Sequence, residues 1–374
     1  MAYRQINTRS PFYVQLATTE PTVQLQLRIW TGDVSTDKPT AATYTLTKEA
    51  IGGEATLEIS ELVRDYCTQD DSNRSAVVWV ETKFTDFALI AAQKATYIAT
   101  EGYTVFTEGL QHNGQTFEDE YICLPEDPKP NTLGYDKIFR VTGAEGESGL
   151  FSYLVQPTDS TSWNKTIFFA NGTSLQSAIL PSTDSDGQIR SLSLSTTITQ
   201  VLFNFNGTFY LVKHDIFDCN KYNNNDNTAL SYATGTARAI TLTYVNKQGA
   251  KNTLAFTLKH TEEIATTSDT FKRNISNLES MNYSNGMHAS RKRLTGSKQS
   301  FTINTDYLDE YYVMQIEELM LSEYVWAKIH SNGSNLLPVN VTNTKLSKKN
   351  HLNDKLIQYT FTIESASEYL NNVR

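Results

Sequence analysis

The sequence predicts a mainly β protein: two β-sandwich-like domains followed by a C-terminal β-rich α+β module with one amphipathic helix. Three observations carry this. At 374 residues the chain exceeds one ordinary sandwich or bundle, so a division into separate cores is expected. It holds 20 Tyr and 17 Phe among many Thr, Ser and Asn residues, a composition that favours strands and turns. Period-two apolar runs also recur along it, and alternation is what a half-buried strand requires.

The first such run is Thr22 to Trp30, with Val23, Leu25, Leu27 and Ile29 on one face and Gln24, Gln26 and Arg28 on the other. A second, Thr43 to Leu46, leads through Gly52-Gly53 to Ala55–Ile59. Ser60 is then placed to cap a short helix carrying Leu62, Val63 and Tyr66. Ala76–Val80, Phe87–Ala91 and Ala95–Ala99 read as further strands, completing a first domain over residues 1–127. Three prolines between Pro125 and Asn131 mark a linker, because proline blocks regular pairing.

Beyond it, Lys137–Val141, Leu150–Val155 and Thr166–Ala170 read as strands of a second domain, residues 128–219. Asn206-Gly207, between Val201–Phe205 and Thr208–Val212, has the residues of a type I′ hairpin turn. Asn220–Asn227 is polar and biased, a loop that opens the third module, residues 220–374. There Ala239–Val245 and Asn252–Leu258 form a hairpin across Asn246-Lys247-Gln248-Gly249. A helix is expected over about Asp306–Ser322, with Leu308, Tyr312, Ile316 and Leu319 at helical spacing. Val325–Ile329, Leu337–Val341 and an alternating run from Ile357 to Glu364 are strands. No internal repeat of the solenoid or propeller kind is found.

Composition excludes several functions. A net charge of −9 with pI near 5.3 disfavours general nucleic-acid or anionic-lipid binding. No apolar run approaches the length of a membrane span, and Met1–Asn7 lacks the apolar core of a secretory signal, so synthesis in a cytoplasm and no membrane insertion are expected. Cys67, Cys123 and Cys219 are too few and too scattered for a disulfide framework or a zinc site.

The search for chemistry returns little. Gly146-Glu147-Ser148-Gly149 lacks the spacing of a nucleophile elbow, and six histidines show neither HxH nor HExxH. Asp184-Ser185-Asp186-Gly187 begins like a calcium loop, but a third carboxylate and the closing Glu are missing, so Asp184 and Asp186 read as a plain turn first. Glu118-Asp119-Glu120 reads as a solvated turn. No catalytic residue, metal or cofactor is expected. One local departure from the acidic balance stands out: no Asp or Glu occurs from Ser280 to Thr305, while Arg291, Lys292, Arg293 and Lys298 gather there. This cluster reads as an exposed loop apex first, and otherwise as a surface for an acidic partner or a nucleic-acid backbone, the net charge favouring an acidic patch on another copy or another protein. Trp30, Trp79, Trp163 and Trp326 are core filling first, with sugar stacking on a host glycan as the alternative.

The third module also carries a likeness. Tyr244–Ala250, Phe301–Thr305, Leu321–Trp326, Leu337–Val341 and Leu352–Thr360 resemble a pattern in proteins encoded among the virion and tail genes of phages infecting Bacteroidota and related marine hosts. Ala99–Tyr103 with Glu108-Gly109 resembles a stretch of their first domain. The resemblance implies a structural virion protein of the tail or baseplate, located in the virion, whose partners are other tail proteins and copies of itself. It transfers no catalytic signature. The sequence departs from the pattern at Leu254-Ala255-Phe256, where those proteins more often carry bulkier aromatics.

Overall fold

The computed structural model describes residues 3–69, 77–85, 94–105, 115–116, 122–127, 134–144, 148–155, 163–179, 188–205, 207–217, 239–272, 276–277, 282–283, 286, 288–329, 336–347 and 356–368. The expected strand at Phe87–Ala91 and the Asn220–Asn227 loop lie outside them.

The first unit contains β1 (Arg4–Asn7), β2 (Tyr13–Ala17), β3 (Thr22–Trp30), β4 (Tyr44–Glu49), β5 (Glu54–Glu58), helix α1 (Ser60–Arg64), β6 (Val78–Thr85), β7 (Lys94–Thr100) and the short β8 (Gln115–Thr116). Its main sheet runs β4-β3-β6-β7-β1-β8, and β2-β5 form a facing ribbon. In β3 the alternation becomes burial: Val23, Leu25, Leu27 and Ile29 point inward and pack with Val14, Leu16, Ala55 and Leu57 of the ribbon. Ser60 does not cap α1. It is the helix's first residue, after Ile59 at the cap position, and both its amide and its hydroxyl bond back to the Glu58 carboxylate.

The second unit contains β9 (Lys137–Ala144), β10 (Gly149–Val155), β11 (Asn164–Phe169), β12 (Ser174–Ala178), β13 (Gln188–Leu194), β14 (Ile198–Phe205) and β15 (Thr208–Phe217). Its sheet runs β12-β11-β14-β15-β9 with β10-β13 opposite. Phe205 pairs with Thr208 across the two-residue turn, where Gly207 takes φ 93°, the conformation an Asn-Gly hairpin requires.

The two units share one topology. In each, the main sheet is ordered fourth, third, sixth, seventh, first, and the second and fifth strands pair on the other side. The first and seventh strands form the parallel pair both times, β1 with β7 and β9 with β15. This is a Greek-key sandwich of the immunoglobulin type, with its first strand carried on the sheet of the seventh. The fold is repeated although the sequence shows no repeat.

The third unit is built on β16 (Ile240–Val245), β17 (Lys251–Phe256), β18 (Thr261–Lys272), β19 (Ser276–Asn277), β20 (Asn282–Tyr283), β21 (Ser290–Asn304), β22 (Leu308–Asp309), helix α2 (Tyr312–Leu321), β23 (Val325–Ile329), β24 (Leu336–Val341), β25 (Leu356–Ile357) and β26 (Thr360–Ser365). An antiparallel sheet of order β17-β16-β23-β24-β26-β21-β18 packs beneath α2. Tyr312, Ile316 and Leu319 of the helix meet Leu242, Phe256, Phe301, Phe361 and Ile363 of the sheet. The helix begins later than the expected Asp306 because Leu308-Asp309 is drawn into pairing with Leu356-Ile357.

The β16–β17 hairpin ties the three units together. Every residue of both strands is buried, more than one sheet face would account for. Along β17, Thr253 Oγ1 accepts from Leu150 N at 2.7 Å, Ala255 N donates to Thr142 Oγ1 at 3.0 Å, and Ser152 Oγ donates to Lys251 O at 2.8 Å. The second sandwich thus supplies side chains to an edge that would otherwise lack partners. Ala255 sits there against Ala144 and Ala239, where a bulkier side chain would part the units.

The hairpin turn enters the first sandwich. Thr100 Oγ1 and Gln5 Nε2 donate to Gln248 O at 2.8 and 3.2 Å, and Tyr103 N donates to Lys247 O at 2.8 Å. Gly249 has φ 77°, and a Cβ there would lie 2.6 Å from Thr100 Cβ; one on Gly102 would lie 2.6 Å from Lys247 O. Both glycines are required by close approach.

The proline-rich linker is not a solvated spacer over its described part. Ile122 and Leu124 join the second core, and Cys123 O accepts from Asn246 Nδ2 at 2.7 Å and Asn252 Nδ2 at 3.1 Å. Pro125 O accepts from Tyr311 Oη at 2.6 Å, and the buried Asp127 pairs with Arg140 at 2.8 Å.

Candidate functional site, a protruding β-arm

Arg291, Lys292, Arg293 and Lys298 are not in a loop. They lie on β21, which with β18 forms an antiparallel pair running from Thr261↔Thr302 out to Lys272↔Ser290. β26 pairs with β21 only over Ser300–Asn304. Beyond that point, among the described residues, β18 and β21 have only each other, so Ile264–Lys272 and Ser290–Gln299 make a two-stranded arm. At roughly 3.3 Å per residue its nine-residue outer strand reaches about 30 Å.

A bulge at Thr267/Ser268 adds one residue to β21. Opposed residues share a face, so counting outward from Phe301, which packs under α2, separates two surfaces. Arg291, Arg293, Lys298 and Phe271 lie on the face turned away from α2; Lys292, Leu294 and Ile264 lie on the other. All of β18 is exposed except the half-buried Ser268. Ile264, Phe271 and Leu294 are 49%, 47% and 38% exposed. Of the cations, Lys298 is tied at the base of the arm to Glu364 at 3.3 Å, while Arg291, Lys292 and Arg293 occupy the outer part. Charge identified this segment in the sequence. The apolar residues beside it were missed, since isolated Ile, Phe and Leu in a polar run give no periodic signal.

Cys67 and His214 are buried in the fold. Burial drives the Cys67 thiol up to about 12, so it carries no thiolate at neutral pH. His214 is buried on β15 and donates from Nδ1 to Ile198 O at 2.8 Å. Its ring lies against Gly143 and Gly149. Burial holds it below the ordinary imidazole value, against that hydrogen bond and the nearby Asp215. Asp184 and Asp186 lie outside the described residues, and among those described no group of three or more His, Cys, Asp or Glu is placed to hold a metal ion. All four tryptophans are buried, between 1% and 7% exposed, which removes them as sugar-stacking platforms. No helix among the described residues is long and apolar enough to cross a membrane.

No family model matches the chain. No curated protein matches it either. Among solved structures, the crystal structure of native alpha-2-macroglobulin from Escherichia coli spanning domains MG0-NIE-MG1 matches at 8% identity and TM-score 0.18. The match covers 57% of this chain and 64% of that one. At that TM-score the two share no common superposition, and nothing about this chain's role follows from it.

Proposed function

We propose that the chain is a structural virion protein of a tailed phage, a tail or baseplate component that connects other tail proteins through protein–protein contacts and has no catalytic role. The observation that carries this reading is the arm. A two-stranded ribbon is marginal in water, and one that presents Ile264, Phe271 and Leu294 beside three cations to solvent has the makeup of an element completed by a partner.

The phage assignment rests on the sequence likeness, and the placement of the resembling segments supports it. Ala99–Tyr103 and Tyr244–Ala250 meet each other at Thr100, Gly102 and Gly249, while Phe301–Thr305, Leu321–Trp326 and Leu337–Val341 belong to the sheet under α2 and the chain leading into it. These residues hold a scaffold together, which is where a structural family would place its shared pattern.

The test is an arm-shortened variant in which residues 268–295 are replaced by Asn-Gly, closing the ribbon between the paired Thr267 and Gly296. It is expected to fold as the parent does and to be lost from, or reduced in, purified particles. Normal incorporation of this variant would remove the arm from assembly, and absence of the full-length chain from purified virions would sink the virion assignment.

A further inference from the structure

The arm is strongly basic within an acidic molecule. Residues 264–299 hold six Lys or Arg against two Asp or Glu, a local +4, which leaves −13 on the rest of a chain whose total is −9. A phosphate backbone approaching this arm would be repelled by the body behind it. A second copy of the same chain offers the complement.

The shared topology shows where. Each sandwich ends its main sheet on its fourth strand, so β4 and β12 are the equivalent edges, each paired on one side only among the described residues. Their chemistry differs. β12, Ser174–Ala178, is uncharged. β4, Tyr44–Glu49, runs into the turn Ile51-Gly52-Gly53-Glu54, where Ile51 is 79% exposed, the most exposed large apolar residue among those described. Glu49 and Glu54 are exposed beside it, and Glu20 is brought to the same end by Ala50 N bonding to Pro21 O at 2.9 Å and Thr18 N to Gly53 O at 2.9 Å, so that three carboxylates outnumber the exposed Lys48 of β4. No ion pair engages these three carboxylates among the described residues. An apolar knob with acidic neighbours on an open strand edge therefore matches an arm with apolar residues, basic neighbours and an open strand edge.

Resting on the reading of the arm as a docking element, we propose that the arm of one chain adds to the β4 edge of a second copy by strand pairing. Arg291 and Arg293 would face Glu49 and Glu54, and Ile51 would lie against the apolar residues of the arm. The two surfaces differ, so the contact is head-to-tail: it closes into a ring if its rotation closes, and extends as an array otherwise.

Two charge-reversed full-length variants decide it: an arm variant, Arg291→Glu with Arg293→Glu, and an edge variant, Glu49→Lys with Glu54→Lys. The substituted residues are exposed and outside the cores, and circular dichroism checks the fold of each. In sedimentation at low salt the wild type should associate. Each variant alone should weaken association by at least about tenfold, since like charges then meet at the contact. An equal mixture of the two should restore it, because each reversed surface finds its complement on the other protein. A bis-maleimide joining Phe271→Cys to Ile51→Cys of another molecule, located by peptide mass, reads the same contact without altering charge.

A wild type that stays monomeric up to about 1 mM, or a mixture that fails to restore association, overturns the proposal. So does association that responds to Leu175→Glu on β12 and not to the edge variant, or an arm that captures nucleic acid. Loss of the arm variant alone from particles, with the edge variant incorporated normally, would refute self-pairing while leaving the arm's docking role intact.

Discussion

At Gly249 and Gly102 the approach of the hairpin to the first sandwich leaves no room for a methyl group. At Gly249 an alanine meets both a positive φ, worth about 1–2 kcal/mol, and the Thr100 side chain at 2.6 Å, so overpacking adds about 1–3 kcal/mol. Gly249→Ala should lower the urea midpoint by a corresponding amount without changing the slope; Gly207→Ala, whose Cβ meets nothing within 4 Å, should show only the backbone part. His214 sets a pH dependence. Its native pKa is depressed below 6.5, so the unfolded chain binds more protons between the two values and stability falls as pH drops below about 6.5. His214→Gln should flatten that part of a denaturation-versus-pH curve; an unchanged slope would contradict the burial argument. Such residues were invisible in sequence: Gly102 and His214 have no local motif, and their roles come from partners far away along the chain.

Among the elements, the strands that cover a core were legible and the ones that leave it were not. β3 and β26 alternate because one face meets apolar neighbours, and Phe361 and Ile363 of β26 are buried as that pattern requires. β18 and the outer part of β21 carry no such alternation, since both of their faces meet water, so a paired strand was taken for a loop. The difference alters the expected effect of deletions. Removing Ser290–Ser300 would take out the buried Ser297 and the Ser300↔Glu364 pairing, and should unfold the sheet edge. Replacing residues 268–295 with Asn-Gly should leave the melting temperature within a few degrees of the parent's. Helix α2 was placed by its spacing, but its docking role was not. Tyr311 and Gln315 bind Pro125 O and Arg140 O across the boundary between units, and Tyr311→Phe should cost about 1–2 kcal/mol by stranding a buried carbonyl, measured by chemical denaturation.

At the scale of the whole molecule, two sandwiches of one topology flank a hairpin that neither could be separated from without exposing buried backbone. Cross-unit ion pairs add to this joint: Arg64 and Arg9 both meet Glu323, Arg9 at 3.2 Å. Scanning calorimetry should therefore show one cooperative transition rather than three. The shared topology has no matching repeat in the sequence because it needs only inward apolar residues at matching places, which many side chains satisfy. In the function proposed above, this jointed body and its basic arm hold neighbouring proteins at fixed geometry. Electron cryomicroscopy of the parent particle tests that most directly. The chain is expected as a repeated ring or array in the tail, with density for Ile264–Lys272 and Ser290–Gln299 lying on an adjacent subunit; an arm standing in solvent, or particles lacking the chain, would contradict it.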